Sequence, residues 1–167
     1  MTNSIIIQKA TADDLPAMLE IYNEIILHTT AVYDYEPHTM EMRKQWWRTK
    51  QEQGFPVFVA KEADRLLGFS SIGPFRAWAA YKHTVENSVY VSADARGKGI
   101  GKLLIPPLIA ASRSLGMHTI VAGIDATNEA SLKLHQYFGF EEVGTFRQVG
   151  WKFDRWLDLK FLQLLLD

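Results

Sequence analysis

Apolar and polar residues alternate one for one between Thr84 and Ser92. Val85, Asn87, Val89 and Val91 point one way, and Thr84, Glu86, Ser88 and Tyr90 point the other. A period of two predicts a strand with one face on a core. Elsewhere the period is helical. Leu15, Met18, Leu19, Tyr22, Ile25 and Ile26 recur at helical spacing after Thr11-Ala12-Asp13-Asp14, a capping hydroxyl followed by acids, so a helix is predicted to about His28. A second helix is predicted over about Thr39–Gln53, with Met40, Trp46 and Trp47 for burial. A third runs from about Gly99 to Ser114, with Ile100, Leu103, Leu104, Leu108 and Ala111 on one stripe. Pro106 and Pro107 inside it remove two backbone donors and predict a kink or an altered turn.

The remaining elements are short. Ser4–Lys9 reads as a strand, and Thr29–His38 as a loop. Pro56–Lys61 and Leu66–Gly73 read as a hairpin turning near Ala63–Arg65. Gly73–Lys82 is an aromatic-rich loop. His118–Ile124 is a buried-type strand, Asn128–Phe138 a short helix ended by Gly139, and Phe140–Val149 and Trp156–Leu166 the last two strands. The order predicts an α/β protein, with a mixed sheet of about seven strands and four helices on both faces. One domain is expected to span residues 1–167.

The stretch Arg96-Gly97-Lys98-Gly99-Ile100-Gly101 lies at the strand-to-helix junction after Val91. Closely spaced glycines there leave backbone N–H groups bare, with the positive end of the helix dipole behind them. The result is a cradle for phosphate, and Arg96, Lys98 and Lys102 add charge to its rim. A Walker A loop does not fit: Arg96 stands where its first glycine belongs and Leu103 where its magnesium-ligating hydroxyl belongs. A Rossmann fingerprint would need glycine at Lys102. The pattern Arg/Gln-x-x-Gly-x-Gly/Ala fits at Arg96, Gly99 and Gly101. It resembles the acetyl-CoA pyrophosphate loop of the GCN5-related N-acetyltransferase family.

Composition narrows the alternatives. The chain is 47% hydrophobic and 22% charged with a net charge of −1, an ordinary globular balance that disfavours nucleic acid as a main partner. It has no cysteine, which excludes disulfides, thiol nucleophiles and thiolate metal sites. Its five histidines are scattered, so no metal site is expected. No apolar run is long enough to span a membrane and the N-terminus carries no signal-peptide pattern, so a cytoplasmic protein is expected.

The element order, with the glycine turn after the fourth strand, is similar to the whole N-acetyltransferase fold. Three runs narrow the resemblance: Tyr81–Val91, Leu134–Phe140 and Lys152–Asp158 are similar to the phosphinothricin and methionine sulfoximine acetyltransferases. The resemblance implies acetyl-CoA as cosubstrate. Gly97, Lys98, Gly99, Ile100, Gly101 and Lys102, with Arg96, would hold its pyrophosphate, and backbone groups of Val89, Tyr90 and Val91 its pantetheine arm. Asn128, which also suits a plain helix cap, and Ser131 would assist. His135 forms one polar stripe with them, leaving Ala130, Leu134, Tyr137 and Phe138 to face the core.

Many members of the family place a tyrosine where this chain has His135. The phosphinothricin branch has histidine there, which makes His135 the expected general acid as an imidazolium. Glu86 is the expected base. An α-amine has a pKa of ~8, and a positioned base gains roughly 10²–10⁴ in rate. Arg76, among Phe75, Ala77, Trp78 and Tyr81, suits a carboxylate clamp. Substrate contacts are expected from Phe75, Arg76, Ala77 and Trp78 and from Glu86, Asn87 and Ser88, with Tyr33 and Tyr35 as further pocket residues. Some phosphinothricin enzymes carry a basic residue at the position of Trp78, which shifts the expected preference toward methionine sulfoximine and sulfone.

The expected activity is thus direct acetylation of a small amino-acid analogue in a ternary complex, with detoxification as its role. Acetylation of a protein N-terminus or another metabolite amine, a non-catalytic acyl-CoA sensor, and a nucleotide-binding module stand as alternatives. The apolar last strand with Trp151, Trp156 and Phe161 points to a homodimer.

Overall fold

A computed structural model describes residues 4–167. β1 (Ile5–Lys9) leads through a single 3-10 turn to α1 (Leu15–His28), which is followed by α2 (Met40–Gln53). Then come β2 (Val57–Glu62), β3 (Arg65–Pro74) and β4 (Thr84–Val91), followed by α3 (Ile100–Ser114). β5 (Thr119–Asp125), α4 (Glu129–Tyr137), β6 (Glu141–Lys152) and β7 (Arg155–Leu165) complete the chain. All strands join one sheet in the order β1-β2-β3-β4-β5-β7-β6. Only β4 and β5 run parallel.

Local chemistry sets the boundaries. The Thr11 backbone N–H donates to Asp14 Oδ2 at 2.9 Å, and buried Asp14 pairs with Lys61 at 2.6 Å, which ties the start of α1 to the sheet. Thr39 caps α2 by accepting from the Met42 N–H at 3.2 Å. α2 ends at Gly54 in the left-handed region, where glycine carries no Cβ penalty. The β6–β7 hairpin turns through Phe153 and Asp154, both at positive φ (52° and 55°), the signature of a turn whose twist matches the strands.

The sheet separates two apolar layers. Leu15, Met18, Ile21 and Ile25 of α1 pack with Val57, Val59 and Phe69, and Tyr90 joins this face from β4. On the opposite face Ile100, Leu104 and Leu108 of α3 pack against Ile72, Val85 and Leu67. The alternation in β4 thus places Glu86, Ser88 and Tyr90 toward α1, and Val85, Asn87 and Val89 toward α3 and α4.

Two expectations about helix faces need correction. The buried stripe of α3 is Ile100, Leu104, Ile105, Leu108 and Ser112, while Leu103 is 41% exposed. The helix is continuous through Pro106 and Pro107. In α4 the expected core stripe holds only in part: Phe138 packs against the core, but Ala130 is exposed. Tyr137 is 67% exposed, whereas His135 is buried.

The feature that positions a site is where β4 and β5 part. Their pairing covers only Thr84↔Thr119, Val85↔Ile120 and Glu86↔Val121. Beyond Glu86 the β4 edge that faces β5 has no strand partner, although β3 pairs with the other edge as far as Val91.

Candidate active site

Two cavities meet at this split. A groove of about 980 Å³ runs from the turn before α3, along Val89–Val91, to the face of α4. A chamber of about 260 Å³ lies in the gap itself, between Glu86–Tyr90 of β4 and Ala122–Asp125 of β5. Ala31, Val89, Tyr90, Asn128 and Ser131 line both, so the groove opens into the chamber.

The glycines of the turn serve different ends. Gly97 and Gly99 hold φ of 75° and 80°, with nothing within 4 Å of where a β-carbon would stand. They supply backbone shape and leave the space above it open. Gly101 supplies proximity, since a β-carbon there would lie 2.7 Å from Leu134 Cδ2 on α4. No side chain caps the start of α3, so its first N–H groups are bare toward the groove. Those donors, the dipole behind them and the exposed β4 edge fit a diphosphate followed by an amide-bearing arm.

Arg96 lines the groove, with its guanidinium paired to Glu24 at 2.6 Å and its Nε donating to the Val91 carbonyl at 3.3 Å. It braces the turn against α1. Lys98 is exposed and stands outside the groove wall, while Lys102 lines it with Nζ 4.4 Å from the Tyr137 ring centroid. Lys133 and Arg155 also line the groove. Sequence reasoning passed over both, because they arrive from α4 and β7 with no motif to link them to the turn.

Glu86 and His135 border the chamber from opposite faces of the sheet. The Glu86 carboxylate fits against Gly123 of β5, where a β-carbon would come within 3.3 Å of Oε1. Burial raises the Glu86 pKa above its ordinary value, and the nearby Arg76 charge opposes that rise. A carboxylate kept from water beside a gap is a capable base.

His135 is arranged differently from the expected imidazolium. It is 4% exposed, and burial lowers its pKa while its bond to Ser131 acts the other way. Nδ1–H donates to the Ser131 carbonyl at 2.7 Å, and Nε2 accepts from the Asn87 side-chain amide at 3.0 Å. Burial thus favours the neutral ring, and the Ser131 carbonyl directs the Nδ1 proton into α4. The ring holds Asn87 in place at the chamber wall. Asn128 does act as the helix cap, its Oδ1 accepting from the Ser131 N–H at 3.2 Å, and it lines both cavities as well.

The loop before β4 contributes less than expected. Phe75 packs edge-on against Tyr81 with ring centroids 5.5 Å apart, Ala77 is exposed, and Trp78 is 77% exposed. None of them walls the chamber. Arg76 reaches the site through its charge on Glu86. Asn87 and Ser88 do line the chamber. Tyr33 closes it from the α1–α2 loop, with its hydroxyl donating to Asp125 Oδ2 at 2.7 Å, while Tyr35 donates to the Trp151 carbonyl outside it. Among the described residues no cluster of three or more His, Asp or Glu side chains could hold a metal ion, and no helix is long and apolar enough to cross a membrane.

Comparison with known proteins agrees with this geometry. The family model of the GNAT acetyltransferase domain matches residues 7–160. A Pseudomonas aeruginosa protein named L-methionine sulfoximine/L-methionine sulfone acetyltransferase is 45% identical over 162 residues, covering 96% of this chain and 94% of its own. The solved N-acetyltransferase from Staphylococcus aureus Mu50 is 51% identical with a TM-score of 0.97, over 98% of this chain and 99% of that one. The yncA protein of Salmonella typhimurium, solved with its cofactor acetyl-CoA, is 41% identical with a TM-score of 0.96, over 99% and 95%.

Proposed function

The chain belongs to the GNAT acetyltransferase family, and from that premise we propose that it acts as one domain, transferring acetyl from acetyl-CoA to the α-amine of small amino-acid analogues. Methionine sulfoximine and methionine sulfone are the first-choice acceptors, and phosphinothricin is the next. The observation that carries the proposal is the junction of the two cavities. A groove starting at a phosphate-type turn ends in a small chamber that holds a buried carboxylate.

Each part of the chain has a task in this reaction. The first N–H groups of α3 hold the pyrophosphate, with Lys102, Lys133 and Arg155 on the rim. The open edge of β4 pairs with the pantetheine amides, and a backbone N–H there polarises the acetyl carbonyl. Bound acetyl-CoA supplies the acyl group; as the C–N bond forms and the C–S bond breaks, the nitrogen gives up its second proton and the departing thiolate takes one up. Glu86 takes the proton from the acceptor ammonium, directly or through one water, and leaves a neutral amine able to attack. Arg76 attracts the acceptor carboxylate and keeps Glu86 ionised. His135 works by position, fixing Asn87 against the acceptor. The missing cysteine supports direct transfer over a covalent enzyme intermediate. Acetylation removes the amine charge by which such an analogue mimics its parent amino acid, so detoxification follows, and cytoplasmic acetyl-CoA would feed it.

The test is thiol release from acetyl-CoA across amino-acid analogues and short peptides. Turnover is expected with methionine sulfone and sulfoximine, less with phosphinothricin, and little with peptides, for which a 260 Å³ chamber has no room. Preference for peptides, or no turnover with any free amino acid, would reject the proposal.

We also propose a homodimer through β6. This outer strand is exposed along nearly its whole length, and Val143, Phe146, Val149 and Trp151 are between 46% and 61% exposed, with Trp156 of β7 beside them. A long apolar edge in water favours pairing with another strand. Analytical ultracentrifugation should give twice the chain mass at micromolar concentration, and Phe146→Lys should halve it. A monomer at every concentration would exclude the dimer.

A further inference from the structure

We infer that Lys152 is a positioning residue for the acceptor: its ammonium clamps the segment Thr29–Tyr33 that roofs the reaction chamber. The inference rests on the acceptor reading of that chamber given above. Lys152 ends β6, directly before the hairpin turn, and is 4% exposed. Its Nζ donates to the carbonyl oxygens of Ile26 at 2.5 Å, Thr29 at 2.8 Å and Val32 at 2.8 Å. An ammonium has three donors and accepts nothing, so its bonding capacity is filled. The ion pairs among the described residues do not include it. Three peptide dipoles, with the more distant charge of Asp34, take the place of a paired counter-ion.

The position of those dipoles gives the clamp its meaning. The Ile26 carbonyl belongs to the last turn of α1, where helix carbonyls lack intrahelical partners and the negative end of the dipole lies. The carbonyls of Thr29 and Val32 turn inward just beyond it. Thr29, Thr30 and Ala31 wall the groove, and Ala31, Val32 and Tyr33 wall the chamber. Tyr33 anchors the far end of the segment on Asp125 at the end of β5. The roof therefore spans the β4–β5 gap, held by Lys152 on one side and Tyr33 on the other. Without the ammonium, three inward carbonyls would be left unpartnered, and the segment would swing out to hydrate them. The turn before α3 and the β4 edge have their own supports and would stay.

Kinetics of Lys152→Met test this. The KM for methionine sulfone is expected to rise about tenfold or more, with the acetyl-CoA KM changed by less than about threefold, as for loss of uniform binding at one ligand alone. Lys152→Arg, which keeps charge but carries a planar donor set, should fall between. A lower melting temperature with both KM values unchanged would make Lys152 merely structural and overturn the inference. Should the Met variant not fold, lysine-selective ¹⁵N NMR of the unaltered protein decides. A slowly exchanging Lys152 ammonium, slowed further by saturating acceptor, is expected. One that exchanges like surface lysines or ignores the acceptor overturns it. An unaltered enzyme that turns over no amino-acid analogue would instead refute the acceptor reading itself.

Discussion

Glu86→Gln is expected to lower kcat/KM for the amino-acid acceptor by roughly 10²–10⁴, the usual contribution of a positioned base, and at the same time to raise the melting temperature at neutral pH. Both effects come from one cause. Burial raises the Glu86 pKa, so the folded protein holds this carboxyl's proton more tightly than the unfolded chain does. Ionising it therefore costs the folded state. The cost is absent at pH values below the ordinary 4.5, grows as pH rises through the folded pKa, and is complete above it. Glutamine fills the same space with no charge to desolvate. The stability gain should thus vanish when both proteins are unfolded at pH 4 and be full at pH 7. Arg76→Ala supplies the companion test. Arg76 holds the Glu86 pKa down, so its loss should move the acidic limb of the kcat/KM profile to higher pH. It should also raise the acceptor KM, since the carboxylate clamp goes with it. A Glu86→Gln enzyme that keeps its activity would remove Glu86 from the reaction, and a melting temperature that shifts equally at both pH values would remove the burial cost of its charge.

Much of this site was legible in the sequence because it depends on local rules. The alternation of Thr84–Ser92 placed Glu86, Ser88 and Tyr90 on one face and Asn87 on the other, as the fold has them. The glycine spacing after Val91 announced a phosphate-type turn whatever surrounds it. What escaped were properties set by distant partners. Helical spacing grouped Asn128, Ser131 and His135 correctly, but a helix lying beside a cavity has no face that must be apolar and buried. Its polar stripe went inward, where His135 meets Asn87 of a different element, and Leu134 and Tyr137 came to wall the groove. That contact also orients the ring, which no local pattern encodes. Lys152 stood in the sequence only as part of the resembling run Lys152–Asp158, since the carbonyls that claim it lie more than a hundred residues earlier. Trp78 read as a pocket wall from its aromatic neighbours and from the family resemblance of this loop, and the loop carries it outward.

The second large effect separates two glycines that look alike in the motif. Gly99→Ala is expected to raise the acetyl-CoA KM about tenfold, because a β-carbon at φ of 80° costs ~1–2 kcal/mol and 1.4 kcal/mol is a factor of ten. The strain falls on the residue that precedes the first bare N–H groups of α3. Relief by turning the backbone would aim those donors away from the diphosphate, so the loss appears as weaker cofactor binding with the acceptor KM unmoved. There is free space at Gly99, so no substitution elsewhere can repair it. Gly101→Ala fails for the opposite reason. Its backbone is ordinary for a helix, but the new methyl would meet Leu134 Cδ2 at 2.7 Å. Because that atom is the end of a flexible side chain, the loss should be smaller, about two- to fivefold, and Leu134→Ala should restore binding. Calorimetry with acetyl-CoA on the three single and two double variants reads this directly. Leu134→Ala must rescue Gly101→Ala and leave Gly99→Ala impaired. Rescue of both, or of neither, would mean that the two positions share one role and that the turn is not held as the structure describes.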